Sequence, residues 1–221
     1  MTWVKICGMT NLEDALAAVD AGADAVGFVF YEKSPRRVSV ETARQIVEKL
    51  PESVEKVGVF VGGGPKSIAK LLRQCGLTVA QIYSREPLAL TDEFFIDFPF
   101  RVIPAISAGS IGKGGMSGLY VSHEVRERIV AALVDSGNTK RPGGTGERFD
   151  WAKMSGLADG IGVRLVVAGG LTAENVGEAI ETLRPWGVDV ASGVEARPGK
   201  KDPEKVRAFV RAVRVIDGKV S

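Results

Sequence analysis

Short apolar runs rich in β-branched residues recur along the whole chain, and stripes with helical spacing lie between many of them. The runs occupy residues 3–6, 25–30, 57–61, 79–83, 101–105, 129–134, 165–168 and 188–190. Each is nearly apolar on both faces, the pattern of a parallel strand covered on two sides. The stripes place apolar residues at i, i+3, i+4 and i+7, as an amphipathic helix does. They read Leu12, Ala15, Leu16 and Val19; Ala43, Ile46, Val47 and Leu50; Ile68, Leu71, Leu72 and Cys75; Val176, Ala179, Ile180 and Leu183; and Val206, Phe209, Val210 and Val213. Eight strand-and-helix units in 221 residues leave about 28 residues for each, close to the length of a βαβ motif once overlap is allowed. The chain is therefore expected to be an α/β protein, a single-domain (β/α)8 TIM barrel over residues 1–221. An open, doubly wound sheet is the competitor, because periodicity alone does not reveal closure.

Local signals agree with the stripes. Thr10 with Glu13 has the spacing of a capping box, Thr172 is placed as an N-cap, and Asp202 precedes Pro203 as an N-cap precedes a first-turn proline. Gly22 is placed to end the first helix. The fourth and fifth units are weak. Residues 91–98 are too few for a long helix, and residues 107–118 carry five glycines. The fifth helix is expected to be short or degenerate, over residues 123–128.

Composition excludes several classes of function. The 29 basic and 27 acidic residues give a net charge of +2, which leaves no electrostatic footprint for nucleic acid or an anionic membrane. No apolar run reaches the ~20 residues of a membrane span, and the start MTWVKICGMT lacks the pattern of a signal peptide. A cytoplasmic protein is expected, with a monomer preferred because no helix shows a second apolar stripe. Cys7 and Cys75 form no CxxC pair, and His123 is the single histidine, so metal ligands are few and no metal site is expected.

In a (β/α)8 barrel, chemistry belongs at the C-terminal ends of the strands and in the loops after them. Cys7 follows the first strand there, Arg36 and Arg37 the second, Asp135 the sixth, Gly169 and Gly170 the seventh, and Ser192 and Gly193 the eighth. Glycine turns after strands seven and eight can aim backbone N–H groups at a phosphate; the alternative is a tight strand-to-helix turn. Cys7 is a candidate acid or base, needing a nearby positive field because a free thiol is mostly protonated at neutral pH, and Lys5 lies two residues back on the same strand face. Otherwise Cys7 is a small buried hydrophobe, the reading preferred for Cys75. Asp135 is either a second proton-transfer group or a turn aspartate. Arg36 offers a bidentate fork to a carboxylate, and His123 reads as surface.

The segments KICGMT at 5–10, SPRRVS at 34–39, GGTGERFDW at 143–151, AGGLTAENV at 168–176 and GVDVASGVEARPGKKD at 187–202 together resemble the phosphoribosylanthranilate isomerase family of tryptophan biosynthesis. The resemblance implies a (β/α)8 barrel that carries out an Amadori rearrangement of a small-molecule substrate, N-(5-phosphoribosyl)anthranilate, to 1-(2-carboxyphenylamino)-1-deoxyribulose 5-phosphate, with no metal or organic cofactor. Cys7 matches the family's general base and Asp135 its general acid. Arg36 matches the arginine near the anthranilate carboxylate, and Gly169, Gly170, Ser192 and Gly193 match the phosphate site. One departure is clear: where the family usually reads QLHG, this chain has Gln81, Ile82, Tyr83 and Ser84.

Two other functions compete. The aminoaldose of histidine biosynthesis undergoes the same rearrangement, but its second phosphate needs another cradle, and the sequence shows none opposite the glycine turns. A phosphate-binding barrel without catalysis is the non-enzymatic reading, against which the presence of both Cys7 and Asp135 argues.

Overall fold

The computed structural model describes residues 1–83, 92–96, 98–110, 123–136, 151 and 163–219. Eight parallel strands close on one another in sequence order, with β1 paired to both β2 and β8, so the open-sheet alternative is excluded. The strands are β1 (Trp3–Cys7), β2 (Ala25–Val29), β3 (Glu55–Val61), β4 (Val79–Tyr83), β5 (Arg101–Ser107), β6 (Ala132–Asp135), β7 (Leu165–Val167) and β8 (Gly187–Val190). Among the described residues the helices are α1 (Leu12–Asp20), α2 (Val40–Val47), α3 (Pro65–Cys75), α4 (Asp92–Ile96), α5 (His123–Arg128), α6 (Val176–Leu183) and α7 (Pro203–Lys219). A small hairpin, β9 (Glu195–Arg197) with β10 (Lys200–Lys201), lies between β8 and α7. The fifth helix is short and late, as expected, and Arg128 fastens it to α4 through the carbonyls of Phe95 and Phe98 at 3.0 and 2.9 Å.

Alternation along the strands divides the core. Val4 and Ile6 of β1 join the large cluster between barrel and helices, whereas Trp3 joins Ala25, Val57, Val79, Ile103, Leu133 and Val166 at the N-terminal end of the barrel interior. Above that apolar layer the same interior face of β1, β4 and β8 carries Lys5, Gln81 and Asp189, all buried. The uppermost layer holds Cys7, Val29 and Val59, with Tyr83 packed against them. Trp3 stacks on Trp186 at 5.1 Å and Arg164 lies over the Trp186 ring at 4.8 Å, which plugs the N-terminal end. Ligand access is thereby left to the C-terminal mouth.

Most stripes are buried as read. Those of α2, α6 and α7 are buried throughout, and in α3 only Leu71 is partly exposed. Helix α1 departs from expectation. Leu12 and Leu16 are 36% and 37% exposed, while Asp14, Ala15 and Ala18 face inward. The cause is the β9–β10 hairpin, because Asp14 accepts from the Lys201 N–H at 2.6 Å and the Lys200 ammonium at 2.6 Å, rotating the helix toward that carboxylate.

The caps shift similarly. Asn11, not Thr10, caps α1 by accepting from the Asp14 N–H at 2.9 Å, and the Thr10 hydroxyl instead donates to the Gly199 carbonyl. Asn175, not Thr172, is the residue preceding α6, and its Oδ1 accepts from the Thr172 N–H at 2.8 Å. Asp202 caps α7 as expected, accepting from Glu204 N–H at 2.9 Å, and Gly22 follows the end of α1 with φ of 92°.

Candidate active site

The open mouth is a single cleft whose walls include Cys7 from β1, Arg36 from the loop after β2, Tyr83 from β4, Asp135 from β6, Gly169 and Gly170 after β7, and Ser192 after β8. Gly193 and Arg37, also singled out in the sequence, are absent from this lining. Gly193 sits beside it in the 3-10 turn Ser192–Val194, where any Cβ would overlap the Leu171 carbonyl, so its missing side chain lets the loop after β8 pack closely onto the loop after β7.

Cys7 is 7% exposed, and a buried cation stands beside it. The Lys5 Nζ lies 2.7 Å from Asp189 Oδ1, its direct register partner on β8, and its charge acts on the Cys7 sulfur. Burial opposes the Lys5 ammonium, but Asp189 and Cys7 outweigh it and raise its pKa above the ordinary value. At the thiol the balance falls the other way: burial pushes Cys7 up more than Lys5 pulls it down. The resting sulfur is therefore a thiol with a cation poised to receive its charge. Gly27 on β2 leaves the room, since a Cβ there would lie 2.8 Å from the Cys7 Sγ.

Across the mouth, Asp135 is 4% exposed and accepts from the Tyr83 hydroxyl at 3.0 Å through Oδ2. The Ser136 hydroxyl is 3.5 Å from Oδ1. Burial, then the charge of Asp135, hold the Tyr83 phenol well above its ordinary value, so it remains a donor.

Arg36 is engaged differently from the fork expected for a ligand carboxylate. Its Nε and Nη2 donate to the two oxygens of Glu195 at 2.9 and 2.8 Å, so that edge of the guanidinium is occupied and a ligand meets its remaining N–H donors. Lys201 donates to Glu195 Oε1 at 3.0 Å and to the Ala191 carbonyl at 3.1 Å, binding the hairpin to the loop after β8. Burial opposes the Glu195 carboxylate, but Arg36 and Lys201 hold its pKa below the ordinary range.

The turn at Gly169 has φ of 91°, and a side chain there would collide with Ser136. Asn175, 2% exposed, donates to the Gly170 carbonyl at 2.9 Å. Because C=O and N–H of a trans peptide point opposite ways, this turns the Leu171 N–H away from Asn175. The expected loop at Gly143–Gly146 lies outside the described residues; of GGTGERFDW only Trp151 is described, and it is buried. The side chain of His123 also lies outside them.

A family model described as N-(5'phosphoribosyl)anthranilate (PRA) isomerase matches residues 4–212. The chain belongs to this family. It is 43% identical over 214 residues to the N-(5'-phosphoribosyl)anthranilate isomerase of Pelobacter propionicus, covering 97% of this chain and 96% of that one. The crystal structure of phosphoribosyl anthranilate isomerase from Thermotoga maritima superposes with a TM-score of 0.83 at 40% identity, covering 97% of this chain and all of that one. A phosphoribosyl anthranilate isomerase solved in complex with reduced 1-(o-carboxyphenylamino)-1-deoxyribulose 5-phosphate gives 0.78 at 39% identity, with coverage of 97% and 100%.

Several residues of this isomerase-family site escape a sequence reading. Asp189, Glu195 and Lys201 lie inside the GVDVASGVEARPGKKD segment and Gln81 opens the QIYS departure, but nothing in those segments marks them as site residues; each is buried. Their parity on the strands was the available signal: Lys5 and Cys7, Gln81 and Tyr83, and Asp189 and Ala191 each share a face. Which of these pairs meet is decided by barrel closure. No helix among the described residues is long and apolar enough to cross a membrane.

Proposed function

We propose that the protein is an N-(5'-phosphoribosyl)anthranilate isomerase of tryptophan biosynthesis, and that Cys7 and Asp135 are its general base and general acid. The observation that carries this reading is their placement. A thiol beside a buried ammonium and a carboxyl held by a phenol line one cleft from the ends of β1 and β6. Asp135 gives a proton to the furanose ring oxygen as the C1–O bond breaks, and the anthranilate nitrogen's lone pair closes the Schiff base. Cys7, having released its thiol proton to solvent beside the Lys5 ammonium, removes the C2 proton as the thiolate, and the enolamine gains a proton at C1 and loses the one on O2 to give the ketone. One proton enters at the ring oxygen and one leaves C2.

The phosphate is held by the backbone around Gly169, Gly170, Ser192 and Gly193, which suits a chain with no basic surplus. The outer N–H donors of Arg36 face the anthranilate carboxylate, with Glu195 fixing the guanidinium in place. Every group in this scheme comes from one chain, so a monomer is sufficient; a mass of twice 23.5 kDa by light scattering overturns that assignment. The phosphorylated substrate does not cross membranes unaided, which supports a cytoplasmic location, and cell fractionation tests it.

The deciding experiment follows loss of fluorescence from freshly formed phosphoribosylanthranilate. Turnover is expected at catalytic enzyme concentration. Cys7→Ser and Asp135→Asn should each depress it by ~10²- to 10⁴-fold with the fold intact. No turnover by the native protein at micromolar concentration sinks the activity, and near-normal turnover by either variant removes that residue from the chemistry.

A further inference from the structure

The carboxyl of Asp135 is held by a directed chain of hydrogen bonds that starts in the barrel interior. Gln81 Nε2 donates to Tyr83 Oη at 3.3 Å, and Tyr83 Oη donates to Asp135 Oδ2 at 3.0 Å. With the carboxyl ionised, it only accepts, and the phenol gives it its single proton. The phenol oxygen must then accept from the Gln81 amide. Gln81 is 1% exposed, and its Oε1 is buried without a hydrogen-bond partner among the described residues, so the contact to Tyr83 is what orients that amide.

We propose that Tyr83 is a positioning residue for Asp135: by engaging Oδ2, its hydroxyl fixes the carboxyl rotamer, while the Ser136 hydroxyl lies 3.5 Å from Oδ1. This rests on Asp135 being the general acid. The phenol also favours the ionised form of Asp135, which makes the acid stronger at the moment of transfer. The other titratable groups that share the cleft are Cys7 of β1, Tyr31 and Arg36 of the loop after β2, and Asp189 of β8, with Lys5 beneath Cys7. Tyr83 keeps its proton among them, since burial, then Asp135, Asp189 and Cys7, all oppose the phenolate.

The test is Tyr83→Phe, which keeps the ring and removes the hydroxyl. Expected are a fall in kcat of about 10-fold, KM within about twofold, and the limb of the kcat profile that reports Asp135 moved up by about one pH unit, because the carboxyl loses a donor that favoured its ionised form. That limb left in place overturns the proposal, whether kcat is unchanged or falls together with the melting temperature as a merely structural role would make it. Asp135→Asn separates this from the underlying reading. An inactive Asp135→Asn with an unshifted Tyr83→Phe profile overturns the role of Tyr83 alone, whereas an active Asp135→Asn overturns the general-acid assignment and this proposal with it.

Discussion

The sulfur of Cys7 illustrates how single residues share one electrostatic problem. Burial favours the thiol, and the base in the proposed reaction is the thiolate, so the cation at Lys5 is the group that keeps the ionised form within reach. Replacing it by an apolar chain of similar length has two consequences with definite signs. In Lys5→Met the thiol pKa rises further, the acidic limb of the rate profile moves to higher pH, and activity at pH 7 falls. The Asp189 carboxylate is left buried without its partner, which costs about 3–5 kcal/mol of stability. Rate profiles and denaturant melts read both effects; an acidic limb that stays in place in a folded variant shows that Lys5 does not govern Cys7. The sequence placed Lys5 and Cys7 on one strand face through period-two alternation alone. It gave no sign of the pairing with Asp189, because nothing local in GVDV says that β8 closes the ring beside β1.

Among elements, the β9–β10 hairpin does more than its five residues suggest. It pulls α1 round through Asp14 and holds Arg36 through Glu195, with Lys201 on the same carboxylate. The folded-state pKa of Glu195 is lowered, so its stabilising contribution is fully present above its ordinary value near 4.5 and is lost as pH falls through the depressed folded value. Glu195→Gln should therefore be less stable than the native chain at pH 7, where Arg36 and Lys201 lose their counter-charge, and the difference should shrink as the solution is acidified below pH ~4.5. Thermal melts from pH 3 to 7 measure this, and a constant difference across the range contradicts the pairing. The stripes of α2, α6 and α7 were legible because apolar packing alone orients those helices. Helix α1 departs from the stripe at Leu12 and Leu16 because the buried Asp14 carboxylate, held by the Lys201 N–H and the Lys200 ammonium of a distant hairpin, outweighs two leucines in setting its rotation. The caps at Asn11 and Asn175 were misplaced by one and three residues, since several polar residues compete at each start and only the path of the chain chooses.

At the scale of the whole molecule, the barrel separates stability from chemistry along its axis. The Trp3–Trp186 stack closes the end remote from the cleft, so Trp3→Ala should cost about 3–5 kcal/mol of stability while leaving KM within about twofold. Denaturant melts with parallel rate measurements test the separation, and a large rise in KM shows that the two ends are coupled.

The repeat of eight apolar runs determined the architecture. Each run must bury both faces, each stripe must bury one, and a closed ring of parallel strands under a coat of helices satisfies all of them within 221 residues. The same reasoning located Cys7, Arg36, Asp135 and the glycine turns at one mouth, because every strand ends there. The tertiary structure alone decided who meets whom. Closure sets Lys5 beside Asp189, 184 positions apart in sequence, and Tyr83 beside Asp135, 52 apart. Partners of that kind are fixed by the stagger of strands around the barrel, a property of the closed ring that no single strand contains.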